Sequence, residues 1–468
     1  MKEWIKLASA TAFAVFATTA AADDTASLDY FHQQAAQGQL LKAQQFLLSK
    51  DYNKAAAIYN QLANAKNSMA EYQLGYLSQH GLGIDKNDLI ANSYFLKAAE
   101  QNLPQAKFAL GTMYLSAQST EEALSWLKQA AVQNEPHALY TFGVMYEKGI
   151  NFPANPALAL TFYQKAGQQG IHQALYNMGL MQYSGAGITK DTAKAMANFA
   201  DAAAKGSAKA QDMLGVFAST GMNATPVNQA QAFNYFTQAA NQGLIQGQYN
   251  LGVMYYNGWG TAADQKNALL WMTKAADQGL PRAIYLEGYL AYNGIGETKN
   301  LPQSLQLYEK AADLGLADAQ MAAGNLYHNG EGTTKDDIKA FSYYLAAAKQ
   351  GVAMAQYMTG LFYYKGLGVI PDKTSALSWY EKAALQGIDK AEIAAAAMYT
   401  NGEGAAQSDK MAYVWLSMAI TSSDPAIHDT AQSSRDDLSK LMSPEDLEAA
   451  KTLATSYYNR IASLPKQQ

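Results

Sequence analysis

The residues in this sequence that could do chemistry are spaced wrongly for most of it. Six histidines occur, His32, His80, His137, His172, His328 and His428. None stands at a metal-binding interval such as His-x-x-x-His, and no His-Glu-x-x-His is found. Cysteine is absent, which removes thiol catalysis, thiolate metal sites, disulfides and a lipid-modified cysteine. Neither the phosphate-cradling Gly-x-x-x-x-Gly-Lys-Ser/Thr nor the Gly-x-Ser-x-Gly nucleophile elbow occurs. Two Ser-x-x-Lys strings exist, Ser125-Trp126-Leu127-Lys128 and Ser463-Leu464-Pro465-Lys466, and neither is followed by the second motif of a serine acyl-enzyme. The pairs Asp23-Asp24, Asp336-Asp337 and Asp436-Asp437 read as solvated or capping groups. What the chain has in quantity is tyrosine, 31 of its 468 residues. Tyrosine combines rigid apolar area with a polar tip, which suits contact with a peptide or glycan. The reading is of a binding protein without a cofactor or metal, not an enzyme.

Charge narrows the partners. The formal net charge is −5, and only three arginines occur, Arg282, Arg435 and Arg460. Nucleic-acid binding leaves a footprint of arginine forks and basic stripes. This sequence has none, so DNA and RNA are not expected partners.

The elements that must position the tyrosines repeat along the chain. A phrase with Leu-Gly, then Tyr, then Gly-x-Gly recurs, its glycine or equivalent at Gly75, Gly111, Gly143, Gly179, Gly215, Gly252, Gly288, Gly324 and Gly360, with Ala396 in the tenth place. Most spacings are 36 residues. A second phrase, an aromatic followed by an Ala-Ala pair and a glycine, holds the same period, as in Trp271 to Gly279 and Trp379 to Gly387. Two phrases in phase over so long a stretch mark a repeat architecture. Leu251, Gly252 and Tyr255 fall on one side of a helix, the A helix. A glycine there costs about 1 kcal/mol against alanine, so another helix must approach closely. In the B helix, Trp271, or Trp126 in its own unit, reads as the bulky filler beside small Ala275 and Ala276. Gly258 and Gly260 read as closing the A helix, Asp264 as capping the B helix, and Gly279 as closing it. The Gly-x-Gly pairs are helix ends, not a nucleotide fingerprint, since no strand precedes them.

The phrase Tyr249-Asn250-Leu251-Gly252-Val253-Met254-Tyr255, with Gly258-Trp259-Gly260 and then Trp271 to Gly279, resembles the SEL-one-like repeat family. That family is related to tetratricopeptide repeats. The resemblance covers residues 67 to about 423 and implies an all-α, right-handed α-solenoid of antiparallel helix pairs, with A helices lining a concave side. It implies scaffold and adaptor roles, often in bacterial envelopes, signalling, secretion or host contact. Some cysteine-rich exported relatives are described as penicillin-binding or β-lactamase-like; without cysteine, this chain departs from them.

Domain organisation follows. Residues 1–22 read as a signal peptide: Lys2 and Lys6, an apolar Leu7 to Phe16, then Ala20-Ala21-Ala22. Residues 23–66 read as a divergent helix pair, 67–423 as ten repeats, and 424–468 as a C-terminal helical cap that follows a polar break at Ser422 to Ala431. No later stretch is apolar enough to span a membrane, so the mature chain is expected to be exported, in the periplasm or else at the surface or secreted.

If the A helices pack as in related repeats, three positions around the repeat glycine face the concave side. Among their occupants the candidate partner-binding residues are Tyr183, Tyr249, Tyr256, Tyr285, Tyr289, Tyr292, Tyr357 and Tyr364. Those three before the glycine double as packing residues, which leaves the four-after set, Tyr183, Tyr256, Tyr292 and Tyr364, as the stronger contacts. Asn257, Asn293, Asn329 and Asn401 follow that place in their units, either as helix-end groups or as a polar row. Trp259 either stands exposed or folds back as a plug. The expected function is an exported scaffold that binds a protein or peptide. Two alternatives stand beside it: an envelope enzyme acting on β-lactams or cell-wall peptide through Ser125, and a surface or secreted factor that binds a host protein.

Overall fold

A 36-residue period holds two helices of 13 residues, each about 20 Å long, and two tight turns. The computed structural model describes residues 24–222 and 226–462. The expected signal segment and the Ser463 string lie outside them. The described residues form 24 helices and no strand. No helix among them is long and apolar enough to cross a membrane. The chain divides into two compact units, residues 1–214 and 215–468, with the division inside helix Ala208–Thr220. The first unit runs from the pair Asp24–Leu48 and Tyr52–Asn64 to the pair His172–Ser184 and Thr192–Ala204. The second holds the pairs from Ile245–Asn257 and Gln265–Asp277 to Asp389–Asn401 and Asp409–Ala419, then Pro425–Leu441 and Pro444–Ala462.

Within a pair, the A-helix glycine lies flat against one large side chain of its B helix. A Cβ on Gly215 would stand 2.6 Å from the Phe236 ring, one on Gly288 2.9 Å from Tyr308, and one on Gly360 2.8 Å from Tyr380. In the first unit Gly75 meets Phe95, and Gly143 meets Tyr163, in the same way. The filler is therefore the residue after the tryptophan of the sequence phrase: Met272 and Tyr380 are buried, whereas Trp271 and Trp379 are only half-buried. Lysines ride on those half-buried indoles, Lys274 Nζ 3.8 Å from the Trp271 centroid and Lys382 Nζ 4.0 Å from that of Trp379. Leu127, not Trp126, fills the corresponding place against Gly111. The B helix turns the Ala-Ala pair inward with the filler, as at Ala275 and Ala276, because four-residue spacing returns to one face.

The two kinds of helix start differently. Most B helices carry a side-chain cap: Asp264 accepts from the Asn267 N–H at 3.0 Å, and Asp372 from the Ser375 N–H at 3.0 Å. Most A helices follow an apolar residue with no side-chain cap, such as Leu244. Leu244 is held by its own backbone, whose N–H reaches Ala239 O at 3.2 Å across Gly243 at φ +82°, a Schellman closure.

The two glycines of Gly-x-Gly do separate jobs. Gly258, φ +69°, ends its A helix with its N–H on Met254 O. Gly260 instead touches the preceding B helix, where an added Cβ would meet Gln229 O at 2.1 Å. Gly368 stands likewise against Asp337 O at 2.1 Å. The second glycine is thus the joint between repeats, which its role as a mere helix stop had concealed.

A part-buried polar ladder also recurs within several of the pairs, one rung in each. The residue four before the repeat glycine accepts from a glutamine at the end of the B helix: Gln278 to Gln248 at 2.7 Å, Gln350 to Gln320 at 2.8 Å and Gln386 to Gln356 at 2.8 Å. At the last repeat the buried residue is Glu392, and Ser422 in the partner place bonds Asp389 instead. Burial, with Asp389 nearby, pushes the Glu392 carboxyl up to about 8.

The polar break expected at Ser422 to Ala431 is mostly helix. Asp424 accepts from the Ala426 N–H at 3.0 Å, Pro425 follows in the first turn, and Ala431 and Leu438 give the helix its buried face.

Two outcomes follow from these contacts. Gly279, whose added Cβ would meet nothing, should lose about 1–2 kcal/mol on Gly279→Ala for its left-handed backbone alone. Gly260→Ala should lose more, because the neighbouring carbonyl cannot turn away; urea unfolding of both variants compares them. Glu392 holds a proton in the folded chain that an ordinary carboxyl releases at about 4.5. Stability should therefore fall as pH rises from about 4.5 to 8. Glu392→Gln should flatten that slope in melting curves taken at both ends of the window.

Candidate functional site

The tyrosines three before the repeat glycine brace the pair contact. The Tyr285 ring lies 5.4 Å from that of Tyr308, and the Tyr357 ring 5.8 Å from that of Tyr380. Both are half-buried, and burial pushes their hydroxyls up. In the first unit, Tyr72, Tyr140 and Tyr176 sit on Phe95, Tyr163 and Phe199 in the same way. Tyr249 has no ring to rest on, because Met272 takes that place.

The four-after tyrosines lie further out. Tyr292 Oη donates to Glu331 Oε2 at 2.7 Å, and Tyr364 Oη to Glu403 Oε2 at 2.9 Å. Both acceptors are the middle residue of the next repeat's Gly-x-Gly. These carboxylates push the tyrosine hydroxyls up. Glu331 is held below the usual carboxylate range by Tyr292 and Asn329, and Glu403 by Lys373 and Tyr364. A lysine covers each ring, Lys299 Nζ at 4.9 Å from the Tyr292 centroid and Lys373 Nζ at 5.5 Å from that of Tyr364. Tyr183, in the first unit, has Lys190 Nζ 5.4 Å from its ring centre.

Tyr256 breaks this scheme. The next repeat's loop reads Gly294-Ile295-Gly296, so no carboxylate waits for its hydroxyl. Its hydroxyl pairs with that of Tyr289, which raises its pKa, and the two rings meet edge to face at 6.4 Å. Both are 37% exposed, so the pair is open to a partner. Between them opens a cleft of about 230 Å³. Tyr249, Val253, Tyr256 and Asn257 form one wall, Leu286, Tyr289 and Leu290 the other, with Met272 beneath. The walls are mostly apolar, with Asn257 and the tyrosine hydroxyls as their polar groups.

The structure thus brings together Tyr249, Tyr256 and Tyr289 and leaves Tyr285, Tyr292, Tyr357 and Tyr364 in other contacts. Asn257 and Asn293 donate to their own helices, at Val253 O (3.0 Å) and Tyr289 O (2.9 Å), as helix-end groups. Trp259 is 47% exposed and does not plug the loop. Ser125 and Lys128 are both exposed on one helix. Sequence reasoning missed Val253, Met272 and Leu286, although a methionine where most B helices have a ring was a visible signal.

The Sel1 repeat profile matches ten consecutive segments, 68–103, 104–134, 136–171, 172–207, 208–244, 245–280, 281–316, 317–352, 353–388 and 389–424. The chain belongs to the Sel1 repeat family. Solved structures agree with an α-solenoid of paired Sel1 repeat helices. A protective antigen of uropathogenic Escherichia coli strains, which displays an SLR fold, is similar at 26% identity and a TM-score of 0.58, over 88% of this chain and 98% of that one. A Sel1 repeat protein from Oxalobacter formigenes is similar at 31% identity and a TM-score of 0.51, over 64% of this chain and 88% of that one. Comparison with curated proteins gives no match. Sel1 repeat solenoids act generally as protein-interaction scaffolds.

Placing a carboxylate at Ile295 should recreate the arrangement seen at Tyr292 and Tyr364. In a crystal structure of Ile295→Glu, the Tyr256 hydroxyl should leave Tyr289 and bond the introduced carboxylate at about 2.7 Å.

Proposed function

We propose that this Sel1 repeat protein is an exported scaffold that holds a protein or peptide segment on the exposed face of its A helices, centred on Tyr256 and Tyr289. The observation that carries this reading is the open, mostly apolar cleft lined by two exposed tyrosine rings. Tyr256 lacks the carboxylate contact that engages Tyr292 and Tyr364. A partner gains apolar area from the walls and hydrogen bonds from the phenols, a combination common at binding surfaces. Within the second unit, Tyr249, Tyr285, Tyr292, Tyr357 and Tyr364 extend the surface, and Tyr292 and Tyr364 already bond glutamates of the fold.

Export draws support from the charged, apolar and small-residue order of residues 1–22. The similarity to a protein described as a protective antigen favours a place at or near the bacterial surface. Periplasmic and surface locations are separated by protease treatment of intact cells: a surface protein is cut and a periplasmic one is spared.

The binding reading is tested by crosslinking in the native source, with mass spectrometry of the captured proteins. Tyr256→Ala with Tyr289→Ala should lose a discrete partner and keep the helical circular dichroism of the parent. Capture of the same partner at equal yield would sink this face as the binding site.

A further inference from the structure

Beside the cleft one charge is left over. Helices Ile245–Asn257 and Pro281–Asn293 wall the cleft, and between them they carry only two charged side chains, Arg282 and Glu287. Glu287 is buried and accepts from Thr273 Oγ1 at 2.8 Å. Arg282 is exposed, and no ion pair ties it down among the described residues. Its charge acts on the hydroxyl of Tyr249, a wall residue of the cleft. Asp318, on the following A helix, acts on Tyr285 and forms no ion pair with Arg282. Arg282, Tyr285 or Leu286, and Tyr289 recur at three- and four-residue steps, so they line one side of their helix. Seven residues of helix place Arg282 about 10 Å along the axis from Tyr289. Three residues of extended chain also span about 10 Å.

We propose that the cleft takes an extended acidic peptide segment, with an apolar side chain seated over Met272 and an Asp or Glu carboxylate about three residues away paired with Arg282. The assignment rests on the A-helix binding face proposed above and names what that face selects. A basic segment would find no exposed carboxylate on either wall. A wholly apolar one would leave the guanidinium without a counter-charge. The net charge of the chain is negative, so the selection is local to Arg282 and does not come from a general field.

The test uses the purified full chain and three synthetic peptides. The first is Gly-Ser-Bpa-Gly-Ser-Glu-Gly-Ser, where Bpa is photoreactive benzoylphenylalanine; the others replace its Glu by Gln or by Lys. Irradiation and mass spectrometry read the crosslink yield at Met272, Val253 and Leu286. The Glu peptide should label the cleft about tenfold more than the Gln peptide, the size of one charge-assisted hydrogen bond. Arg282→Gln should abolish that difference while leaving the Gln peptide's yield unchanged. Equal labelling by the Glu and Gln peptides, stronger labelling by the Lys peptide, or no labelling of the cleft would overturn the proposal. The two readings fail separately. If partner capture still depends on Tyr256 and Tyr289 but the peptides show no Arg282-dependent difference, the face stands and the acidic segment falls.

Discussion

A helix bearing glycine in its middle is weak alone, and here the weakness is where each repeat closes. The glycine removes a Cβ that would otherwise stand 2.6–3.0 Å from the large side chain opposite, at Phe236, Met272, Tyr308, Tyr344 and Tyr380. Without that atom the large side chain lies directly on the helix backbone. The penalty of about 1 kcal/mol for the glycine is offset by burial of the opposing side chain, worth about 1.5–3 kcal/mol. The braces at Tyr285 and Tyr357, the buried alanine pairs and the glutamine ladder all presuppose this close approach.

Much of this was legible in the sequence, because it repeats. The period, the glycine's role, the Asp and Asn caps and the left-handed helix ends each follow from residue type and spacing. What could not be read was direction at single-residue precision. Trp271 and Met272 are neighbours, and which of them turns inward depends on the rotation of the B helix against its partner. The second glycine of Gly-x-Gly looked like a helix stop because its contact lies in another repeat. The candidate site was half legible. Tyr256 and Tyr289 could be named from their places beside Gly252 and Gly288. That Tyr292 and Tyr364 are tied to Glu331 and Glu403, thirty-nine residues on, needs the stacking of one repeat on the next.

The site arises from departures within an otherwise uniform array. Two residues distinguish it: Met272 where a ring is usual, and Ile295 where two later repeats place Glu331 and Glu403. The first leaves space beneath Tyr249, and the second frees Tyr256 to turn toward Tyr289. Neither residue is reactive, and neither would attract notice alone. In a repeat protein, specificity is written as deviation from the consensus, against a background that the consensus itself supplies.

The joint at the second glycine has a consequence for how such a chain is inherited. Gly260 and Gly368 press on the main-chain oxygens of Gln229 and Asp337, not on their side chains. A coupling made through the peptide backbone is indifferent to what the neighbouring repeat's side chains happen to be. At this joint a copied or deleted unit would need no matching side chain across the new junction. Gene segments of this length can be gained, lost and shuffled while surface residues such as Ile295 drift independently. The lineage can thus try new binding surfaces without first re-solving how the chain folds.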